Sequence, residues 1–399
     1  MKTRIAILLA GIAVCWAPAQ SQTRESESGT TERGLIETVA NIEKKTDKFN
    51  LYLNMHGDFA ANWRGDNFED GKFEMMQLRL EMRGNINSWL SYRYRQRLNK
   101  GNNPSYRDNV LGSIDIAGIG VNLKKWNVFL GKQCASYGGI EFDLNPIEIY
   151  QYCDMIEYMS NFMTGVNVAY NFTPNQQLQF QMLNSLTGST KEMYGDYEKA
   201  KMPMVYTLNW NGNFSDFYKT RWSASIMNET KGEHMFYYAL GNEFNFTDRL
   251  HAYVDWMYSR EGVDRKGIMT SIIGADNGRN VKKAEYMSTV VHLNYEFAPK
   301  WNVFAKASYE TANLSGDYTT QVADGADMVT RSYEKGNYRT TWQYMAGVEF
   351  YPLKDRNLHF FAAYVGQSYK YTERARKLGN SNYSENRLSV GFIWQMPIF

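Results

Sequence analysis

No stretch of this 399-residue chain stays apolar for the roughly 20 residues that a membrane-spanning helix needs. The longest candidate, Ile5 to Val14, is about half that length. Cysteine is scarce, and Cys15, Cys134 and Cys153 are too few and too far apart for a paired-cysteine zinc site. No glycine-rich phosphate loop is present, and His56, His234, His251, His292 and His359 are scattered without a nucleophile or metal spacing. The formal net charge is only +2, so bulk charge attracts no nucleic acid or other polyanion. These absences exclude a helical membrane anchor and leave no motif that implies a cofactor.

What is present begins with an export signal. Lys2 and Arg4 precede the short apolar run, and Ala17-Pro18-Ala19 supplies a small-x-small cleavage site. The expected division is a signal peptide at 1–19, a periplasmic leader at 20–48 and a barrel at 49–399. In the leader only Leu35, Ile36, Val39 and Ile42 offer an amphipathic face. Cys15 raises lipidation, but Val14 before it is bulky where a small residue is wanted. Removing the signal takes away two positive charges and leaves the mature chain formally neutral. Cys134 and Cys153 remain, in an oxidising compartment where they can pair as a disulfide.

The last strand places Leu388, Val390, Phe392, Trp394, Met396 and Ile398 on one face, with Arg387, Ser389, Gly391 and Gln395 on the other. Together with Phe399, this ending resembles the C-terminal signal of bacterial outer-membrane β-barrels, read by the barrel-assembly machinery. Aromatics make up 15% of a chain that is polar on average, as expected when strands alternate between lipid and water and aromatics gather at the interfaces. A secreted β-sandwich has similar composition. The turns separate the two. Tyr170-Asn171-Phe172-Thr173-Pro174, Phe244-Asn245-Phe246-Thr247-Asp248, Tyr295-Glu296-Phe297-Ala298-Pro299 and Glu349-Phe350-Tyr351-Pro352 each close one alternating strand and open another.

Three more tight junctions, at Gly84 to Ser88, Leu123 to Trp126 and Asn211 to Asp216, complete a set of seven that joins fourteen strands. The first strand, near Phe49 to Asn62, and the last bring the number to sixteen, and single-chain bacterial barrels require an even number. The expected fold is an all-β transmembrane antiparallel barrel, wide enough for an aqueous channel. Long polar connections alternate with the tight turns at 64–71, 99–109, 134–161, 185–201, 228–233, 260–280, 314–335 and 372–383.

Gln77, Arg79, Glu81 and Arg83 alternate with apolar residues in the second strand, and Ser91, Arg93, Arg95 and Arg97 do so in the third. An arginine facing lipid near the midplane costs about 2 to 4 kcal/mol, so these side chains face the lumen. They form a ladder of positive charge suited to handing an anion from one forked donor to the next. Pairing with Glu81 and with acids of an inward loop is the bland alternative.

The segment from Cys134 to Asn161 is the candidate constriction loop, since it is long and rich enough in apolar side chains to pack against a wall. Its expected functional residues are Tyr137, Glu141, Asp143, Glu148, Tyr150 and Tyr152, with Lys132 just before it. Its acids, set against a basic wall, are expected to make a transverse field.

The signal peptide, the arginine-bearing hairpin, Val128-Phe129-Leu130-Gly131-Lys132-Gln133 followed by Gly138-Gly139-Ile140-Glu141, and the terminal Phe together resemble the phosphate-selective porin O and P family. The resemblance is to the branch found in Bacteroides-type bacteria and covers residues 49 to 399. It implies a trimeric sixteen-stranded porin in the outer membrane of a diderm bacterium, with an inward third loop and an arginine-lined path for phosphate-like anions. On that resemblance Arg79, Arg83, Arg93, Arg95 and Arg97 are wall residues and Lys132 lies near the constriction. The acidic loop departs from the family pattern, and Phe399 sits out of phase with the apolar face.

The expected function is passive diffusion of small hydrophilic, preferentially anionic solutes, with outer-membrane lipid as surroundings. The alternatives are a barrel enzyme of lipase or protease type, testable on ester or peptide substrates, and a plugged structural or adhesive barrel, testable by conductance.

Overall fold

The computed structural model describes residues 46–101, 108–185, 188, 190–324, 327–353 and 357–399. The expected signal peptide and residues 20–45 of the leader lie outside these. The strands are β1 (Asn50–Arg64), β2 (Asn67–Asn85), β3 (Leu90–Arg97), β4 (Ile114–Leu123), β5 (Trp126–Cys134), β6 (Phe162–Thr173), β7 (Gln176–Asn184), β8 (Lys199–Asn213) and β9 (Tyr218–Thr230). They continue as β10 (Met235–Thr247), β11 (Leu250–Val263), β12 (Lys282–Ala298), β13 (Trp301–Leu314), β14 (Tyr318–Asp324), β15 (Asp327–Tyr333), β16 (Gly336–Leu353), β17 (Leu358–Tyr371) and β18 (Tyr383–Pro397).

Sixteen of them close a single antiparallel barrel in which each strand pairs with its sequence neighbour, β16 follows β13, and β1 pairs with β18. Closure removes every free edge. The seam is sealed at its end by Leu51, whose N–H donates to Phe399 O at 2.7 Å while Phe49 and Phe399 lie with ring centroids 5.6 Å apart. Six of the seven expected tight turns lie within the described residues and are present, and at the seventh Leu353 of β16 pairs with Leu358 of β17.

Two long connections differ from expectation. The stretch 64–71 is mostly strand, because Gly65, at φ 61, closes a two-residue turn and lets the β1–β2 pairing run on to Asn67. The connection 314–335 folds into its own hairpin, β14 paired with β15, whose alternating β-branched residues support a sheet.

Outward faces follow the predicted alternation. In β10, Phe236, Tyr238 and Leu240 are exposed while Met235, Tyr237 and Ala239 are buried, and in β18 Leu388 and Val390 are exposed while Ser389 and Gln395 are buried. Near the tight turns the aromatic pairs touch across strands, with Trp301 against Phe350 at 4.7 Å and Trp126 against Tyr170 at 4.6 Å. Such contacts suit an interface belt. The inward face is less uniform. Val205, Met227, Tyr237, Met257, Tyr286 and Val290, on β8 to β12, are buried in one apolar cluster with Tyr137, Ile140, Phe142, Met155 and Ile156 from the segment 135–161.

Candidate functional site

The expected arginine ladder begins as a problem of like charge. The β2–β3 register sets Arg79 opposite Arg97 and Arg83 opposite Arg93, with Glu81 opposite Arg95 between them. Like charges directly opposite one another destabilise a sheet. Two carboxylates resolve this. Glu81 accepts from Arg93 at 2.9 Å and from Asn54 Nδ2 at 3.3 Å. Asp115 lies 3.2 Å from Arg79, 3.5 Å from Arg95 and 2.9 Å from Arg97.

Asp115 escaped the sequence reading for a geometric reason. By simple alternation it shares a face with Ile119, which is exposed on the outer surface. The β3–β4 register, however, skips it, since Arg95 pairs with Ile116 and Gln96 with Ile114. That bulge turns the carboxylate inward to the arginines, where it is fully buried.

Gln77 accepts from Arg79 Nη2 at 2.8 Å, and Arg83 lies over the Tyr52 ring with Cζ 5.0 Å from its centroid. Lys132 is 3.6 Å from Asp108. Among the described residues, Glu81, Asp115 and Asp108 are the carboxylates at ion-pair distance from Arg79, Arg93, Arg95, Arg97 and Lys132.

The segment 135–161 is tied to strands all round the barrel. It contains two short helices, α1 (Ile140–Asp143) and α2 (Asp154–Glu157), and a 3-10 turn at Pro146–Glu148. Gly138 and Gly139 have φ of 75° and 87°, and a Cβ on Gly241 of β10 would stand 2.7 Å from Gly139 Cα. Only glycine serves at that approach. Directly after it, the N–H groups of Ile140 and Glu141 donate to the two carboxylate oxygens of Asp255 on β11, each at 2.8 Å. His56 on β1 contacts Ile147 O at 2.8 Å, Gln343 on β16 donates to Tyr152 O at 3.1 Å, and Arg387 on β18 donates to Tyr150 O.

The expectation of an acidic loop opposing the basic wall is corrected by these partners. Glu141 is paired with Lys306 on β13 at 2.7 Å and accepts from Tyr253 at 3.0 Å. Asp143 is paired with Arg221 on β9 at 3.3 Å, and Asp154 with Arg339 on β16. Burial nevertheless pushes Asp143 up to about 6, against the pull of Arg221. Glu148 rises to about 7 by burial, with Asn357 donating to it at 3.1 Å and opposing the shift.

Tyr137 packs against Phe142 and Tyr237, each with centroids 5.4 Å apart, and lies fully buried. Tyr150 stacks on Phe304 at 4.8 Å and donates to Glu349 at 2.7 Å. The sequence reading missed Lys306, Arg221, Arg339 and Arg387 as partners. Each faces inward by alternation, but nothing in the strand pattern shows what a segment far away in sequence brings against it.

The candidate disulfide does not form, and both cysteines are free thiols. Cys134 ends β5, paired with Phe162 on the wall, whereas Cys153 caps α2 beside Glu310, Glu141 and Lys306. The segment between them spans the two sides.

Two cavities lie along the arginine wall. The one nearer the long connections is about 500 Å³ and is lined by Arg79, Arg97, Lys100 and Lys132. The one nearer the tight turns is about 340 Å³ and is lined by Arg83, Arg93 and Arg95. Pro146, Tyr152, Asn161 and Phe162 line both.

The model of the family "phosphate-selective porin O and P" matches residues 49–396. Among solved structures, the chain is similar to the outer membrane channel DcaP of Acinetobacter baumannii, with TM-score 0.60 and 13% identity over 89% of this chain and 99% of that one. It is also similar to an anion-selective porin from Comamonas acidovorans (TM-score 0.54, 10% identity, 87% and 99% covered) and to the trimer form of OmpT from Vibrio cholerae (TM-score 0.52, 11% identity, 87% and 99% covered). At these identities the likeness is one of fold. No curated protein matches the chain.

Proposed function

The chain belongs to the phosphate-selective porin O and P family and is an outer-membrane porin; on that premise we propose that small hydrophilic solutes cross it passively along the arginine wall, anions ahead of cations. One observation carries the preference. Three arginines share the single carboxylate of Asp115, while the loop acids Glu141, Asp143 and Asp154 are taken up by Lys306, Arg221 and Arg339 on other strands. The wall keeps an excess of forked donors for an oxyanion.

In this reading segment 135–161 folds inward and narrows the path at Pro146, Tyr152, Asn161 and Phe162, the residues common to both cavities. Its contacts with β1, β9, β11, β13, β16 and β18 support that placement. Arg79, Arg83, Arg93, Arg95, Arg97, Gln77 and Glu81 line the path, and Lys132 stands beside it. No chemistry is performed on the solute. The trimer form of the Vibrio cholerae protein supports a homotrimer here, and the terminal Phe399 is the element offered to the assembly machinery.

The test is the zero-current potential of the purified protein in a planar bilayer under a potassium chloride gradient. A chloride-favouring potential that phosphate diminishes along with the current is expected. A cation-favouring potential would overturn the anion preference, and absence of conductance would overturn the open path.

A further inference from the structure

The cavity of about 340 Å³ nearer the tight turns carries more than charge. Arg83, Arg93 and Arg95 line it together with Phe129, Phe142 and Phe162. Phe129 faces the lumen by plain alternation with the outward Trp126 and Leu130, and the break in that alternation follows it. Leu130 is exposed on the outer surface, and Gly131, at φ 123, lets the following Lys132 turn inward again. The Phe129 ring lies over Gly118, where a Cβ would stand 2.6 Å from its Cε1 and 2.4 Å from Leu130 O. The result is an aromatic plane laid beside Arg83, Arg93 and Arg95 in a cavity that Asp47, Glu81, Asp143 and Glu148 also line.

The cations are themselves unusual. Arg95 lies over the Phe162 ring with Cζ 5.2 Å from its centroid, and Arg83 over Tyr52. Among the described residues no carboxylate lies within ion-pair distance of Arg83, and its buried Nε has no hydrogen-bond partner. A guanidinium held on an aromatic face is weakly hydrated and planar. Such a cation gains least from a strongly hydrated inorganic oxyanion, and more from a carboxylate attached to a flat apolar body that also covers the aromatic plane. The volume falls at the low end of the range, about 300 to 1,000 Å³, of cavities that enclose small organic ligands.

We propose that this cavity is a binding site for organic anions with a flat apolar body, aromatic carboxylates being the simplest, with Arg83 and Arg93 taking the carboxylate and Phe129 and Phe162 the ring. The proposal rests on the reading of the wall as an anion path and names its preferred solute.

The test titrates the chloride current of the full-length protein in a planar bilayer with benzoate and, separately, with acetate. The two carry the same charged group and differ in the ring. Benzoate is expected to halve the current at a concentration about tenfold lower than acetate, the preference that covering one ring face gives at the usual apolar coefficient. In Phe129→Ala that ratio falls toward one, and in Phe129→Leu, which keeps apolar volume without the plane, it falls part of the way. In Phe236→Ala, on the outer surface, it is retained. Equal potency of benzoate and acetate in the wild type, or a ratio unchanged in both Phe129 variants, overturns the proposal while leaving the anion path intact. A cation-favouring zero-current potential in potassium chloride alone overturns the path itself.

Discussion

The wall formed by β2 to β4 and the wall formed by β9 to β13 share an architecture and differ in what lies against them. Both present charged side chains inward at alternate positions: Arg79, Arg93, Arg95 and Arg97 on one, and Arg221, Asp255, Lys306 and Glu310 on the other. On the second wall every one of those four is bonded to segment 135–161, by an ion pair from Arg221 and Lys306 and by backbone N–H groups donating to Asp255 and Glu310. On the first wall the arginines are bonded to the wall itself, through Asp115 and Glu81, and border the cavities. An inward charge thus either bolts another part of the chain to the wall or is left bordering a cavity, according to whether another part of the chain reaches it.

The largest effect expected from breaking this contrast is at Asp115. Asp115→Asn leaves three arginines uncompensated, Arg79 and Arg95 of them buried, and should cost about 3 to 5 kcal/mol of barrel stability, read as a lower unfolding midpoint in detergent. Met257→Ala on the packed wall should cost about 2 to 5 kcal/mol by leaving a cavity, with the zero-current potential unchanged. If Met257→Ala shifts selectivity and Asp115→Asn is silent, the two walls have been assigned the wrong way round.

Lys306→Met should come next. It strands Glu141 without its cation and loosens the segment, so single-channel conductance should rise roughly twofold while anion preference falls. A smaller effect is expected at Arg97, the most accessible of the three arginines around Asp115. Arg97→Gln should lower the anion-to-cation permeability ratio roughly threefold with little change in stability.

The smallest is a pH effect at Glu148. Its carboxyl, held up to about 7 by burial, is neutral in the folded protein below that pH and becomes an anion as pH rises through it. Anion preference should therefore be higher at pH 5.5 than at pH 8.5, by roughly twofold, and the folded state should lose a little stability over the same rise, since the unfolded carboxyl ionises at lower pH. Glu148→Gln should flatten the selectivity profile, and an unchanged slope in that variant would assign the titration elsewhere.

The barrel was legible because its outer surface obeys one solvent. Phe236, Tyr238, Leu240 and Val390 appear at every second residue, and the tight turns carry Pro, Asp and aromatics at repeating positions, so strand number and order followed from local chemistry. The arginines were legible for the same reason, since no outward placement was tolerable. The inward face of β8 to β12 was harder to read. Met227, Tyr237, Met257 and Val290 are as apolar as the outer residues beside them, because they pack on another part of the chain and not on water.

What the sequence determined by itself was therefore everything that depends on period and on the cost of misplacing a charge: sixteen paired strands, their tight turns and an inward row of arginines. Only the tertiary structure decided how that charge is balanced. A bulge moved Asp115 to the inner face against its alternation, and segment 135–161 brought Glu141, Asp143 and Asp154 to cations up to 185 positions away rather than to the arginines nearby. Alternation is a local rule set by backbone geometry, whereas these pairings are set by where a closed barrel brings distant strands together.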